Sequence, residues 1–249
     1  MQNNTCYTIN TIKNYFNLKK TTKNVIFGKK FNIKITLPNS IKNITCGLNF
    51  NKKIIISNSI IYIKFDFDFE QNIIIPNSVK TIIFGYCYNR KIIIPNFMKT
   101  IIFGENFKQN VIIPNSVMSV TFGSSFNKKI TIPSSITIII FGWNFNQKIN
   151  IPNSVRILTF GNNFNQKIII PNSVEILTFG KIFEQKILIL NTALKIIFML
   201  DPNYVAEFNM KLRYINKTYK HCIIDYVNSY DSNIHDKFIV LITFRKNPK

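Results

Sequence analysis

All eight glycines of this 249-residue chain stand in one column: Gly28, Gly47, Gly85, Gly104, Gly123, Gly142, Gly161 and Gly180, separated by one 19-residue period or, once, by two. The skipped position holds Asp66. Prolines repeat at the same interval at Pro38, Pro76, Pro95, Pro114, Pro133, Pro152 and Pro171, with Ser57 in the gap, and only Pro202 and Pro248 lie elsewhere. A third column is aromatic: Phe31, Phe50, Phe69, Tyr88, Phe107, Phe126, Phe145, Phe164 and Phe183. Nine copies without an insertion describe a body of stacked equivalent units, each touching only its neighbours, rather than a globule around one centre.

Within one copy, Val155, Leu158 and Phe160 are apolar at offsets 0, 3 and 5; Gly161 and Phe164 follow, then Ile168 and Ile170 before Pro171. Two short stretches of period two emerge, "ILTF" and "KIII", rich in β-branched and aromatic residues and closed by Gly or Pro, so two strands per copy are expected. The glycine is expected to supply a turn with positive φ, and the proline, lacking an N–H, to stop strand pairing. Two strands of about five residues leave roughly nine for turns, too few for a helix, so equivalent strands stack in parallel at ~4.8 Å per coil and the rod is on the order of 45 Å long. Like side chains then form ladders. About six large apolar side chains per coil, each contributing roughly 1.5–3 kcal/mol when buried, hold a coil that has no core of its own. Cys46 replaces phenylalanine in one such column. The fold class expected is a β-rich repeat solenoid of parallel strands in 19-residue coils, with a small α+β C-terminal cap.

The division expected is an N-terminal cap over 1–24, the solenoid over 25–199 and a C-terminal cap over 200–249. Phe16, Leu18 and Val25 stand one 19-residue period before Ile35, Leu37 and Ile44 and read as a partial copy. From Asp201 the pattern stops. "DPNYVAEFNMKLRYIN" offers an N-cap aspartate, a proline at the first helical position, and Val205, Phe208, Leu212 and Ile215 at helical spacing. "KFIVLITFR" reads as a strand.

The polar start "MQNNTCYTIN" lacks the features of a signal peptide, and no run approaches the ~18 apolar residues of a membrane span, so an intracellular, cytoplasmic protein is expected. Cys6, Cys46, Cys87 and Cys222 show no paired spacing, which argues against a disulfide framework. The formal charge of +21 comes from 28 lysines and only 4 arginines, a ratio that weakens a nucleic-acid reading because the arginine fork suits phosphate and base edges better. The abundance of Lys, Asn, Ile, Phe and Tyr also has a compositional explanation in AT-rich codons.

Phe164, Asn165, Ile170 and Pro171 form an F-N…I-P pattern that recurs from Phe31-Asn32…Leu37-Pro38 through the copy at Phe183, and in this the chain resembles the FNIP repeats over most of its length. These are known from social amoebae and giant amoeba-infecting viruses, are related distantly to leucine-rich repeats, and imply a host-cytoplasmic location if the protein is viral. Val155, Leu158, Phe160 and Asn163 fit the leucine-rich spacing, with Asn49, Asn106 and Asn144 in the column of Asn163. The copies here are shorter than usual, and lysine often stands where relatives carry proline after F-N-x. Some relatives place an F-box ahead of the repeats; the segment 1–24 is expected to leave no room for one, so a ubiquitin-ligase role is not carried over.

Function is therefore sought on surfaces, and a non-enzymatic protein-interaction scaffold is the first expectation. With Leu158 and Phe160 inward, the outward strand positions include Ile83, Ile102, Ile138, Ile140, Ile157 and Ile176 among threonines, with Tyr62 and Lys64 at one end. The adjoining turn column adds Phe67, Tyr86 and Trp143; such an apolar stripe either receives a protein partner or is covered by the cap or the pleat of the rod. The alternative is a polyanion, nucleic acid or acidic lipid, bound along Lys34, Lys53, Lys91, Lys129, Lys148, Lys167 and Lys186, a column that no acidic column answers; lysines splayed into solvent are the plainer reading. An adaptor role of the C-terminal cap, with Tyr214, Tyr219, Tyr226 and Tyr230, is the third expectation.

No catalytic, metal or cofactor site is expected. His221 and His235 have no partner at ligand spacing, and the glycines are confined to the turn column. The "FDFDFE" segment puts Asp66, Asp68 and Glu70 on one side if extended, but it lacks the pattern of a calcium loop and reads as a degenerate coil.

Overall fold

The computed structural model describes residues 6–34, 36–183 and 185, together with strands at 195–200, 222–228 and 238–244. One strand and a short helix, β1 (Cys6–Ile9) and α1 (Ile12–Phe16), open the chain. There follow β2 (Asn24–Phe27), β3 (Asn43–Thr45), β4 (Tyr62–Lys64), β5 (Thr81–Ile83), β6 (Thr100–Ile102), β7 (Ser119–Thr121), β8 (Ile138–Ile140), β9 (Ile157–Thr159), β10 (Ile176–Phe179) and β11 (Lys195–Leu200), with β12 (Cys222–Asn228) and β13 (Phe238–Phe244) last. All join one sheet in the order β1 to β11, then β13, then β12. The first eleven strands are parallel neighbours, and β13 pairs antiparallel with both β11 and β12. From β2 to β11 each pairing joins residues 19 apart, as in Ile82 with Ile101 and Ile139 with Leu158.

The result is a parallel-stranded solenoid of about nine turns, as the columns predict. The strand expected over 237–245 is β13. The helix expected from Asp201 lies outside the described residues, as do Lys186, Tyr214, Tyr219 and Tyr230. Near the N-terminus, Val25 is buried in register with Ile44, and Phe16, on α1, is three-quarters exposed. Thr11 and Asn14 cap α1 reciprocally, and the Tyr15 hydroxyl donates to the Thr36 carbonyl at 2.6 Å.

Each coil forms one short strand, three residues long from β3 to β9, rather than two. The "KIII" stretch alternates in burial as an extended chain does, with Ile94 inside and Lys91 and Ile93 outside, but its only backbone pairing among the described residues is the bridge between Thr36 and Ile55. Its ends account for this. The closing proline brings no N–H, and its carbonyl accepts the N–H three residues on, as Val79 donates to Pro76 at 3.1 Å. At the other end, the asparagine after the aromatic residue takes over the bond between coils. The Asn146 side-chain carbonyl accepts the Asn165 N–H and the Gln166 Nε2, both at 3.0 Å; Asn51, Asn89 and Asn127 act alike.

The glycine column also has a cause different from the expected one, because no glycine has positive φ. The constraint is the distance between coils. A Cβ on Gly104 would lie 1.7 Å from the Gly85 carbonyl oxygen, and one on Gly142 2.4 Å from the Gly123 carbonyl carbon. Backbone meets backbone there, and no side-chain rotation relieves the clash. Asp66, the exception, turns its carboxylate to the Phe67 N–H at 2.9 Å, above a coil that carries the small Cys46 in place of phenylalanine.

Two aromatic stacks fill the interior. Phe65, Phe84, Phe103, Phe122, Phe141, Phe160 and Phe179 stack at 5.2–5.9 Å between centroids. Phe50, Phe69, Tyr88, Phe107, Phe126, Phe145, Phe164 and Phe183 do so at 6.0–6.4 Å. Within a coil the stacks touch, as in Phe141 and Phe145 at 3.8 Å. Tyr88 is the anomaly: its ring is fully buried and its hydroxyl has no hydrogen-bond partner.

Candidate interaction surfaces

Strand residues on either side of each buried central position face outward. Their side chains form two rows along the sheet. One runs Thr81, Thr100, Ser119, Ile138, Ile157 and Ile176; the other Ile83, Ile102, Thr121, Ile140 and Thr159. The structure thus brings Ile138, Ile157 and Ile176 together, with Ile140 two residues along from Ile138, and sets Ile83 with Ile102 as a separate pair beyond Thr121. All six are half-buried by their neighbours in the sheet. The turn edge is more open. Trp143 is 53% exposed, and Phe67 and Tyr86 stack outside the core at 4.8 Å. Leu48 precedes Phe67 in that column and is also exposed.

Lys34, Lys53, Lys91, Lys129, Lys148 and Lys167 are all exposed, and among the described residues no ion pair joins any of them to a carboxylate. The one salt bridge among the described residues joins Arg156 to Glu175, elsewhere on the coil. Beside the lysines lies a row that sequence reasoning missed: Ile55, Ile74, Ile93, Ile112 and Ile169, of which Ile74, Ile93 and Ile112 are 88–90% exposed. The signal was available in the alternation of "KIII", which turns the middle isoleucine out once its neighbours turn in. Shallow grooves between coils run along this face, lined by Lys91, Ile93, Asn110 and Ile112 in one place and by Ile149, Lys167 and Ile169 in another.

Asp66, Asp68 and Glu70 sit in and beside a turn rather than along an extended strand, and no cluster of His, Cys, Asp and Glu able to hold a metal forms among the described residues. Burial, and after it the Asp66 carboxylate, pushes the Cys46 thiol well above its ordinary pKa. Cys87 is raised too, by desolvation first and then by Glu70 and Asp68, so neither thiol is activated as a nucleophile. No described helix is long and apolar enough to cross a membrane.

A search of curated proteins found no match. Among solved structures, the chain is similar to CroV588, described as a novel circular LRR protein, at 35% sequence identity and a TM-score of 0.64 over 74% of this chain. The matched part spans about a third, 34%, of that protein's length. The FNIP Repeat model matches residues 50–87, 88–125, 126–163, 145–182 and 164–191, covering the stretch in which the aromatic stacks, the asparagine bonds and the proline turns recur; the chain belongs to the FNIP repeat family.

Proposed function

We propose that this repeat scaffold is non-enzymatic and docks a protein on the outward strand face and its aromatic turn edge. The observation that supports this reading is the in-register outward row Ile138, Ile157 and Ile176 on strands β8 to β10, together with the exposed Trp143 in the turn that follows Ile140 at the end of β8, an aromatic of the type enriched in interface cores. The half-buried isoleucines contribute a shaped apolar floor, and Trp143 contributes the side chain that loses most water on contact. Alanine at Ile138, Ile140 and Trp143 is expected to reduce recovery of a partner in pull-downs from cells that produce the protein, while circular dichroism stays unchanged. Recovery equal to that of the unmodified chain would overturn the reading.

A second reading is favoured by the unpaired lysines: a polyanion lies along Lys34, Lys53, Lys91, Lys129, Lys148 and Lys167, with Lys186 in the same sequence column. Neighbouring ammonium groups about one coil apart repel by roughly 1 kcal/mol in water, a cost that a polyanion removes. Its mark is affinity that falls steeply with salt. Heparin retention that ignores salt, or no retention, would exclude it.

A further inference from the structure

The exposed isoleucine row and the lysine row belong to one face, and neither proposed surface uses those isoleucines. Lys53 and Ile55, Lys91 and Ile93, and Lys167 and Ile169 each stand two residues apart in an extended segment, which places their outward side chains about 7 Å apart. A third row, Asn39, Asn58, Asn77, Asn96, Asn115 and Asn153, is exposed on the far side of the proline. From 34 to 172 none of these three columns contains an acidic residue; the exceptions to lysine are Asn72 and Asn110, and those to isoleucine are Thr36, Thr131 and Asn150.

We infer that this face rests on an anionic lipid surface, with the lysines among the headgroups and Ile74, Ile93 and Ile112 in the acyl boundary. This narrows the polyanion reading to one class and rests on it. The alternatives each satisfy only half of the face. Nucleic acid takes the lysines but leaves a row of nearly fully exposed isoleucines in water. A second copy of the chain would cover isoleucine with isoleucine while opposing one unpaired lysine column to another. A folded protein needs pockets repeating every coil, about 4.8 Å, to receive side chains that project this far. A lipid interface accepts an apolar row without a matching shape and meets the flanking cations with phosphate and carboxylate.

The test uses the full chain and sedimentation with vesicles of phosphatidylcholine alone or with roughly 30% phosphatidylserine. The chain itself shows which substitutions its columns accept. Ile74→Asn, Ile93→Asn and Ile112→Thr copy Asn150 and Thr131; Lys91→Asn, Lys129→Asn and Lys148→Asn copy Asn72 and Asn110. Unchanged circular dichroism and Trp143 fluorescence confirm the fold of each triple variant. Binding to the phosphatidylserine vesicles is expected to fall at least about tenfold in the isoleucine variant and about a hundredfold in the lysine variant. Failure of the unmodified chain to sediment with either vesicle, or equal binding to both, overturns the inference. So does a lysine variant that fails while the isoleucine variant binds normally, in which case the broader polyanion reading stands. Retention on RNA that the isoleucine variant keeps, without vesicle binding, assigns the face to nucleic acid. No retention on vesicles, RNA or heparin removes both readings.

Discussion

Replacing Gly104 by alanine tests whether spacing between coils, rather than turn conformation, keeps the glycine column. The new Cβ would sit 1.7 Å from the Gly85 oxygen, 2.5 Å from its carbonyl carbon and 3.2 Å from the Phe84 oxygen. Reaching even 3.0 Å from the first of these takes more than an ångström of movement, all of it by backbone. That movement strains the Asn106 N–H bond to Tyr86 at 3.0 Å and the Phe84–Phe103 stack at 5.9 Å. Overpacking costs about 1–3 kcal/mol and each weakened hydrogen bond about 1 kcal/mol, offset by about 0.4–1 kcal/mol from a stiffer unfolded chain, for a net loss of about 2–4 kcal/mol. Gly28→Ala is the control: there the Cβ meets chiefly the Asn10 side chain, at 1.8 Å from Oδ1, and an asparagine near the chain start swings aside. Its expected cost is within about 0.5 kcal/mol. Urea denaturation followed by circular dichroism and by the single tryptophan should place the Gly104→Ala midpoint about 1 M lower and leave Gly28→Ala near the unmodified chain. Equal losses at both positions, or none at Gly104, would refute the argument.

Tyr88→Phe fills the stack with the residue found at its eight equivalents and removes an unpartnered hydroxyl, so thermal unfolding should show a gain in stability of about 1–3 kcal/mol. Burial raises the folded-state pKa of Tyr88 above the ordinary tyrosine value of about 10, so the unfolded chain gives up that proton first. Stability from this group is therefore present below about pH 10 and is lost as pH climbs beyond it; the advantage of the phenylalanine variant should widen in the alkaline arm of a pH-stability series. Asn146→Ala removes the acceptor for the Asn165 N–H and Gln166, and a loss of about 1–3 kcal/mol is expected in chemical denaturation. Lys108→Asn should act in the opposite direction, adding an acceptor beneath Asn127 and raising the urea midpoint by an amount worth about 0.5–1.5 kcal/mol.

The stacking, its 19-residue pitch and the inward columns were legible because three residue types mark them independently. What the sequence hid were distances. Alternation in "KIII" shows an extended stretch, but whether it pairs with its neighbours depends on where the amide donors go, and the asparagine bonds reveal that only in three dimensions. The glycines looked like turn residues because the same residue serves left-handed backbone and close approach alike. Among the surfaces, the outward isoleucines Ile83, Ile102, Ile138, Ile140, Ile157 and Ile176 fell where the period-two reading put them, but Thr121 divides them into two groups. Their half-burial follows from pairing between successive strands, which no single copy displays. The fully projecting row at Ile74, Ile93 and Ile112 was implied by its inward neighbours and outweighs them in exposed apolar surface.

The asparagine bonds also limit how such a chain can change length. Because Asn146 reaches Asn165 and Gln166, one residue gained or lost between them would dislocate the donor from its acceptor and misalign both aromatic stacks at once. Duplicating or deleting an entire coil leaves every remaining contact with the same partner type. Growth and shrinkage of this architecture are therefore quantised, and copy number is the coordinate along which a lineage can vary its reach while keeping its fold.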